Sequence, residues 1–355
     1  MTAALRLSPP SQPATAMKPT LRLIALSLMS ALAGLAQAQD KVLNLYSARH
    51  YQTDEALYTD FTRQTGIQIN RIEGKEDELL ERIKNEGARS PADVFITVDA
   101  ARLAIAEQAG VFQPNGSKVL AQRIPAHLRT PTWAAFSTRA RVIVYNKATI
   151  KPEQVQTYGD LAHPRLKNQV CVRAGAHPYN LSLGAAMIAH EGLQQTEAWA
   201  RGLVANFARA PKGGDTDQIR AVAAGECGVA ISNSYYLARL MRSTKPEDQK
   251  TVAAIGVVWP NQQTWGTHVN VSGAGIVKTA PNPAAARRFL DYLASDRAQR
   301  YFADGNNEWP AAQGVSVDNP ALKQLGTFKA DTLPIGTLAR HTAEAQKVFD
   351  RAGWR

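Results

Sequence analysis

The stretch Gly228-Val-Ala-Ile-Ser-Asn-Ser-Tyr-Tyr-Leu-Ala-Arg239 organises the whole fold prediction. Its apolar start, Val229 to Ile231, is typical of a short buried strand. The polar run Ser232 to Ser234 supplies residues that are common at helix N-caps, and Leu237 and Leu240 then recur at helical spacing. The stretch therefore predicts a strand that passes directly into a helix.

This junction places Tyr235 and Tyr236 in the first turn of the predicted helix. Neighbouring side chains point to opposite faces of a strand, but they diverge by only about 100° on a helical turn and can converge on one point. The amino end of a helix also carries partial positive charge, which favours phenolate over phenol. The pair is therefore a candidate set of oxygen ligands for a hard, highly charged cation. A core-facing tyrosine beside a half-exposed one fits the same pattern.

Residues 1–38 have the features of a secretory signal peptide. A basic segment from Met17 to Arg22 precedes an apolar run from Leu23 to Leu35, and Ala36-Gln37-Ala38 is a cleavage site of the A-x-A kind. The apolar run is short for a membrane span, and no later segment offers one. We expect cleavage before Gln39 and export of a soluble protein, which is periplasmic if the host is Gram-negative.

The mature chain is long enough for two domains and a sizeable core. The formal charge of +11 includes three positive charges from the signal peptide, those of Arg6, Lys18 and Arg22. The remaining Lys and Arg residues are scattered, without a basic tract interleaved with aromatic residues, so a nucleic-acid partner is not expected. Contact between a basic face and an anionic membrane stays open. We expect a monomer.

The sequence contains two cysteines, Cys171 and Cys227. An even pair in an oxidising compartment suggests a disulfide, although two free buried thiols are the alternative. Each cysteine lies a few positions before a tyrosine discussed here, so a bridge would also fix two tyrosine-bearing segments together.

The first part of the mature chain alternates strand and helix patterns. Strand-like runs at 41–47, 67–72 and 92–97 are each followed by a helical pattern, which predicts an α/β fold with a parallel sheet and right-handed crossovers. A long strand at 132–145 leads to a second α/β unit, and a strand at 268–277 returns to the first. Two lobes joined by crossing strands follow from this order, with the ligand in the cleft between them. We divide the chain into lobe one (39–137), lobe two (138–267) and a segment, 268–355, that holds the hinge return, the rest of lobe one and the C-terminal helices.

Three strand-to-helix junctions at the expected cleft carry one imidazole and four phenols. They hold His50 and Tyr51, then Tyr179, then Tyr235 and Tyr236. Each alone fits an ordinary loop residue or a half-buried anchor with a bonded hydroxyl. Their shared position at the cleft edge makes them a candidate site.

The chemistry of these side chains selects a metal. Phenol has a pKa near 10, so binding at neutral pH must displace its proton, which only a strong, hard Lewis acid does readily at four positions. Ca²⁺ prefers carboxylates and carbonyls, and Zn²⁺ prefers His and Cys. Four anionic oxygens and one nitrogen therefore suit Fe³⁺.

The mature sequence resembles the ferric-ion-binding periplasmic proteins of iron ABC transporters, often called bacterial transferrins. The resemblance covers essentially the whole mature chain and is carried by segments 43–51, 74–79, 92–99, 137–146, 213–218, 230–237, 266–275 and 306–310. It implies a two-lobed periplasmic-binding-protein fold of type II, each lobe a mainly parallel sheet flanked by helices and joined to the other by hinge strands. It also implies Fe³⁺ as cargo and delivery to an inner-membrane ABC permease.

The resemblance also implies a set of metal ligands. The family's tyrosine-rich branch uses a His-Tyr pair, a middle tyrosine and a Tyr-Tyr pair, which correspond to His50, Tyr51, Tyr179, Tyr235 and Tyr236. Arg209 is a candidate outer group that offsets phenolate charge. Trp309 stands where related sequences are expected to have a tyrosine, and it is not assigned to the metal.

Two other functions stay open at this point. The same scaffold could carry an organic or anionic solute such as a polyamine or a phosphonate. Gly213-Gly214 with Arg209 fits an anion-binding nest, also for a carbonate-type co-ligand on iron, and equally a plain helix-starting turn. A secreted metal-dependent enzyme is the second alternative, but His190-Glu191 lacks the second His of H-E-x-x-H and Ser182 lacks the first Gly of G-x-S-x-G. We therefore expect no enzymatic activity.

Overall fold

The structure is a computed structural model that describes residues 41–49 and 51–355. The predicted signal peptide, its cleavage site and the predicted ligand His50 lie outside the described residues. The strands are β1 Val42–Ser47, β2 Gln68–Glu73, β3 Val94–Thr97, β4 Trp133–Asn146, β5 Val170–Cys171, β6 Val229–Asn233, β7 Ile255–Val258, β8 Val269–Ile276 and β9 Trp309–Pro310.

From β1 to β3 each strand is followed by a helix, as the sequence pattern predicts for the first part of the chain. The helices are α1 Asp54–Thr65, α2 Glu76–Glu86, α3 Ala100–Gln108, α4 Lys118–Arg123, α5 Pro178–Glu191, α6 Leu193–Ala205, α7 Asp215–Ala223, α8 Ser234–Met241, α9 Pro246–Ala254, α10 Pro283–Leu293, α11 Asp296–Asn306, α12 Pro320–Leu325 and α13 Thr337–Ala352. Short 3-10 helices occupy Gly87–Arg89, Ala126–Leu128, Pro152–Gln154, Gly159–Ala162 and Pro164–Leu166. Within the described residues, no helix is both long enough and apolar enough to cross a membrane.

The strands form one mixed sheet in the order β2-β1-β3-β8-β4-β6-β5, with β7 and β9 also paired to β4. The pairs β1–β2, β1–β3 and β5–β6 are parallel, as expected for strands connected through helices. The pairs made by β4 and β8 are antiparallel, because these strands run between the two parts of the sheet in opposite directions. The predicted α/β class is confirmed, and the crossing strands make the sheet mixed.

Strand β4 connects the two parts of the sheet. Its residues up to Ala140 pair with β8, whereas from Arg141 onward it pairs with β6, and from Ile143 also with β7. The long strand expected from the sequence is therefore present, and the change of partner occurs between residues 140 and 141. The lobe boundaries 39–137, 138–267 and 268–355 stay a prediction.

The apolar core comprises three buried clusters. One lies around β1 and β3 and contains Phe61 and Phe289; the second contains Trp199 and Phe349; the third contains Val142. Helix α13 runs from the first cluster, where Leu338 is buried, to the second, where Phe349 is buried. The C-terminal helix therefore packs on both parts of the molecule.

Helix α5, which carries Tyr179, is held closely against α13. A Cβ built at Gly184 would lie 2.6 Å from Cζ of Phe349 and 3.1 Å from Cβ of Ala345. Because only glycine leaves room for this approach, the packing fixes the axis of α5. The position of the first turn of α5 follows from that axis.

The predicted disulfide between Cys171 and Cys227 is present, with the two Cα atoms 5.9 Å apart. It joins the end of β5 to the residue two positions before β6, so it links the segments that lead to Tyr179 and to Tyr235.

Removing this disulfide should destabilise the fold. The bridge spans 56 residues, and in the chain-entropy model closing a loop of that length stabilises the native state by about 4 kcal/mol. We expect the variant Cys171→Ala/Cys227→Ala to lose about that much free energy of unfolding in urea titrations. Reductant should lower the free energy of unfolding of the wild type and leave that of the variant unchanged. Equal unfolding midpoints for reduced and oxidised wild-type protein would contradict the prediction.

Candidate metal centre

The junction between β6 and α8 places two tyrosines at the start of a helix. Strand β6 ends at Asn233 and α8 begins at Ser234, so Tyr235 and Tyr236 occupy the first turn as predicted. The strand extends two residues beyond the predicted end. Asn233 holds the N-cap position, but its side chain does not bond a helix N–H. Its Oδ1 instead accepts a hydrogen bond from Arg141 Nη1 at 3.1 Å.

Four phenols converge in this region. The hydroxyls of Tyr179 and Tyr235 are 3.0 Å apart, and the ring centroids of Tyr235 and Tyr236 are 4.3 Å apart. Tyr51, which comes from the β1–α1 connection, interacts electrostatically with the other three. Tyr179 lies in the first turn of α5, so three helix starts bring these side chains together. His50, the fifth predicted ligand, lies outside the described residues.

The surroundings keep Tyr51, Tyr179 and Tyr235 protonated. Burial is the main cause that raises the pKa of Tyr51, and the Glu308 carboxylate adds to it. Burial also raises the pKa of Tyr179 and of Tyr235 well above 10, and the negative charge that each neighbouring phenol would carry raises both further. Losing several protons together therefore requires a compensating positive charge at the site.

Arginine side chains surround the phenols. Their guanidinium carbons lie over tyrosine rings at 4.8 Å from the ring centroid for Arg49 and Tyr51, 5.3 Å for Arg173 and Tyr179, 5.9 Å for Arg141 and Tyr179, and 5.2 Å for Arg239 and Tyr236. Each of these contacts places positive charge beside a ring. The site is therefore suited to negative charge on the phenol oxygens.

Arg139 is a further arginine that interacts electrostatically with the phenols. It is 1 % exposed, and its charge lowers the pKa of Tyr51, Tyr179 and Tyr235 against the larger effect of burial. Its Nη1 donates to Ser272 Oγ at 2.8 Å and lies 3.5 Å from Glu308. Its Nε and Nη2 have no hydrogen-bond partner among the described residues. Arg139 thus has two buried donor atoms without a hydrogen-bond partner in the described structure.

A cavity of about 280 Å³ opens onto the phenols. It is lined by Tyr51, Gln52, Thr53, Tyr235, Arg239 and residues 305–308. A larger cavity of about 690 Å³ is lined by residues of β2 and α2 and by His177 and Pro178, which come immediately before Tyr179. The ring of His177 contacts that of Tyr179 with centroids 4.4 Å apart, and its Nδ1 accepts from the Tyr179 backbone N–H. His177 therefore helps to orient Tyr179.

Arg209 makes its polar contacts elsewhere in the described structure. Its Nη2 donates to Gln218 Oε1 at 3.0 Å, and its Nε lies 2.8 Å from Glu226 Oε1. A role in offsetting phenolate charge stays a prediction. The turn at Gly213 has φ 69°, and the Gly214 N–H donates to Asp217 at 2.7 Å, as in a helix-starting turn.

Sequence reasoning missed the arginine shell and His177. Arg139 and Arg141 stand two apart on β4, so they share one face of that strand. Two arginines on one face of a buried strand are the sequence signal that could have indicated positive charge beside the phenols.

Trp309 packs edge-on against Trp259, with ring centroids 5.7 Å apart, and belongs to an aromatic cluster. Within the described residues, no group of three or more His, Cys, Asp or Glu is arranged to hold a metal ion.

Comparison with known proteins gives consistent matches. Residues 89–329 match the family described as bacterial extracellular solute-binding protein. The chain is 48 % identical to iron uptake protein A1 of Synechocystis sp., over 89 % of this chain and 88 % of that protein. A Trichodesmium protein solved in complex with iron and citrate ligands is 51 % identical with a TM-score of 0.85, covering 88 % of this chain and all of that chain. The ferric binding protein from Campylobacter jejuni is 40 % identical with a TM-score of 0.82, over 88 % of this chain and all of that chain.

Proposed function

Because the chain belongs to the family of bacterial extracellular solute-binding proteins, we propose that it captures Fe³⁺ in the cleft between its lobes and delivers the ion to an inner-membrane ABC permease. The proposed ligands are Tyr51, Tyr179, Tyr235 and Tyr236, with His50 as the nitrogen ligand. The observation that carries the proposal is the convergence of four phenols within a shell of arginines. The fold is the two-lobed type II fold of the ferric-binding structures that the chain resembles.

Capture is an exchange of protons for a metal ion. Tyr51, Tyr179 and Tyr235 hold their protons at neutral pH, since burial and the repulsion between neighbouring phenolate charges raise the pKa of each. Fe³⁺ supplies the positive charge that makes their joint ionisation favourable. A trivalent ion with four phenolates has one net negative charge. The surrounding arginines balance that charge and do not bind the metal ion themselves.

Arg139 adds directional support to this exchange. Its two buried donors lacking a partner in the described structure would find acceptors in phenolate oxygens, which carry more lone-pair charge than phenols. An unpaired buried donor costs free energy, and that cost falls when the phenols ionise. The loaded state is thereby favoured relative to the empty one.

Export and delivery complete the proposed function. The signal peptide predicted at residues 1–38 would send the chain to the periplasm. There a monomeric carrier, with lobe one at 39–137 and in part of 268–355 and lobe two at 138–267, would close on the ion and dock on the permease. The names of two relatives, an iron uptake protein and a ferric binding protein, support this class of cargo.

An enzymatic role is not part of the proposal. Ser182 Oγ and His268 Nε2 are 2.9 Å apart, the spacing of a nucleophile and its base, but both residues are 2 % exposed. A substrate would have to enter the protein interior to reach them. The relatives are named for iron binding and uptake.

A metal analysis with a visible spectrum tests the proposed cargo. Protein loaded with one equivalent of Fe³⁺ should be coloured by a phenolate-to-iron charge-transfer band, with one iron bound per chain. Loading with Ca²⁺ or Zn²⁺ serves as a control and should give no such band. A colourless protein that retains no iron, or one isolated with an organic cation or a phosphonate in the cleft, would overturn the proposal.

A further inference from the structure

A buried carboxylate connects the segments behind the tyrosines. Asp215, the first residue of α7, is 0 % exposed. Its Oδ2 accepts from Arg141 Nη1 at 2.5 Å and from the backbone N–H of Asn233 at 2.7 Å. Its Oδ1 accepts from Arg173 Nη1 at 3.1 Å. One side chain thus holds the crossing strand β4, the end of β6 and the segment before α5.

Arg141 extends these contacts to the start of α5. Its Nη2 donates to Asn180 Oδ1 at 2.6 Å, and its Nη1 also donates to Asn233 Oδ1 at 3.1 Å. Asn180 follows Tyr179 directly, and Asn233 precedes Tyr235 by two residues. Both asparagines are buried, so neither contact competes with water. The two tyrosine-bearing helix starts are therefore bonded to one guanidinium, which Asp215 fixes.

We propose that Asp215 is a positioning residue that sets the placement of Tyr179 relative to Tyr235. The proposal rests on the proposed function, in which these two phenols share one Fe³⁺. A buried ion pair is often no more stabilising than apolar side chains of similar size. This ion pair instead controls where Tyr179 and Tyr235 lie, since its hydrogen bonds end at residues next to these proposed metal ligands.

Charge and position predict opposite effects when Asp215 is neutralised. Loading four phenolates with Fe³⁺ adds one net negative charge, so Asp215→Asn, which removes a nearby negative charge, would tighten binding if charge alone mattered. Loss of the Arg141 and Arg173 contacts would instead loosen the helix starts and weaken binding. The sign of the change separates the two explanations.

The experiment compares Asp215→Asn with Asp60→Asn. Asp60 is another buried carboxylate, on α1, and it accepts from Arg297 at 2.6 Å and from the Tyr292 hydroxyl at 2.9 Å. Both variants should lose stability in urea. Only Asp215→Asn should shift the charge-transfer band and weaken Fe³⁺ binding at least tenfold in competition with citrate. Binding by Asp215→Asn that is unchanged or tighter, with an unshifted band, would overturn the proposal.

A readout without iron keeps the inference separate from the proposed cargo. In metal-free protein with isotope-labelled tyrosine, Asp215→Asn should move the NMR signals of Tyr179 and Tyr235, whereas Asp60→Asn should leave them in place. A wild type that binds no iron would refute the proposed function. NMR signals that do not move in Asp215→Asn would refute the positioning role independently of the cargo. If Asp215→Asn does not fold, Asn180→Ala serves instead and should displace the Tyr179 signal without changing any charge. It removes the Arg141 contact together with the hydrogen bonds from Asn180 Nδ2 to the Arg173 and Ala174 carbonyls.

Discussion

Replacing Tyr235 and Tyr236 together by phenylalanine is expected to abolish the colour of the iron-loaded protein and to lower its affinity for Fe³⁺ by at least about 10³-fold. Loss of a group that merely supports a metal ligand costs about 10–100-fold, and two direct ligands are removed here. The rings remain, so packing around the 4.3 Å ring contact is preserved. The double substitution should therefore reduce metal binding and leave the fold intact.

Competition titration against citrate, with the visible spectrum recorded at each step, measures this effect. The control is Tyr58→Phe together with Tyr145→Phe. Tyr58 is buried, and its hydroxyl has no hydrogen-bond partner in the described part of the chain. Tyr145, near the C-terminal end of β4, packs against Gly256 of β7. The control should keep its colour and affinity; full colour in Tyr235→Phe/Tyr236→Phe would exclude the two residues as ligands.

Iron binding is expected to depend steeply on pH. The pKa of Tyr51, Tyr179 and Tyr235 is raised, mainly by burial, so these phenols are protonated in the empty protein at neutral pH and ionised when they bind Fe³⁺. Loading must then release at least three protons. Proton competition increases as the pH falls, so affinity should drop by about 10³-fold for each unit of pH.

Two measurements check this dependence. A pH-stat records the protons released when Fe³⁺ is added to unbuffered protein, and chelator competition at pH 7, 6 and 5 gives the slope. Tyr235→Phe, which deletes one of the three phenols, should release one proton fewer. An affinity that stays constant across this range would show that the ligands are not phenols.

Local sequence patterns predicted much of the fold. The long strand at 132–145, the strand-helix junction before Tyr235 and the cysteine pair depend on apolar periodicity and residue type, which act over a few positions. Each is present, as β4, the β6–α8 junction and the Cys171–Cys227 disulfide. The sequence pattern predicts an end of β6 that is two residues too early, because polar Ser232 and Asn233 resemble cap residues. Both residues instead remain in the strand, where Arg141 donates a hydrogen bond to the Asn233 side chain.

The basic shell of the site was not predicted. Arg139 and Arg141 share a strand face, but nothing local shows that this face meets the phenols of Tyr179 and Tyr235. That meeting depends on contacts between segments far apart in the chain, such as the hydrogen bond between Arg141 and Asn180 and the one between Asp215 and the Asn233 N–H. The charge of Arg209 and its place in the sequence predict a role near the phenolates, and the fold directs its guanidinium to Glu226 and Gln218.

The sequence by itself determined the α/β class, the disulfide partners and the kinds of side chain available for a hard cation, because residue chemistry and short-range periodicity are written in order along the chain. Only the tertiary structure decided which of those side chains meet. The 3.0 Å contact between Tyr179 and Tyr235, the arginines over the rings and the carboxylate behind them are produced by chain crossings at β4 and β8. Such contacts depend on the packing of the whole fold, which no single stretch of residues encodes.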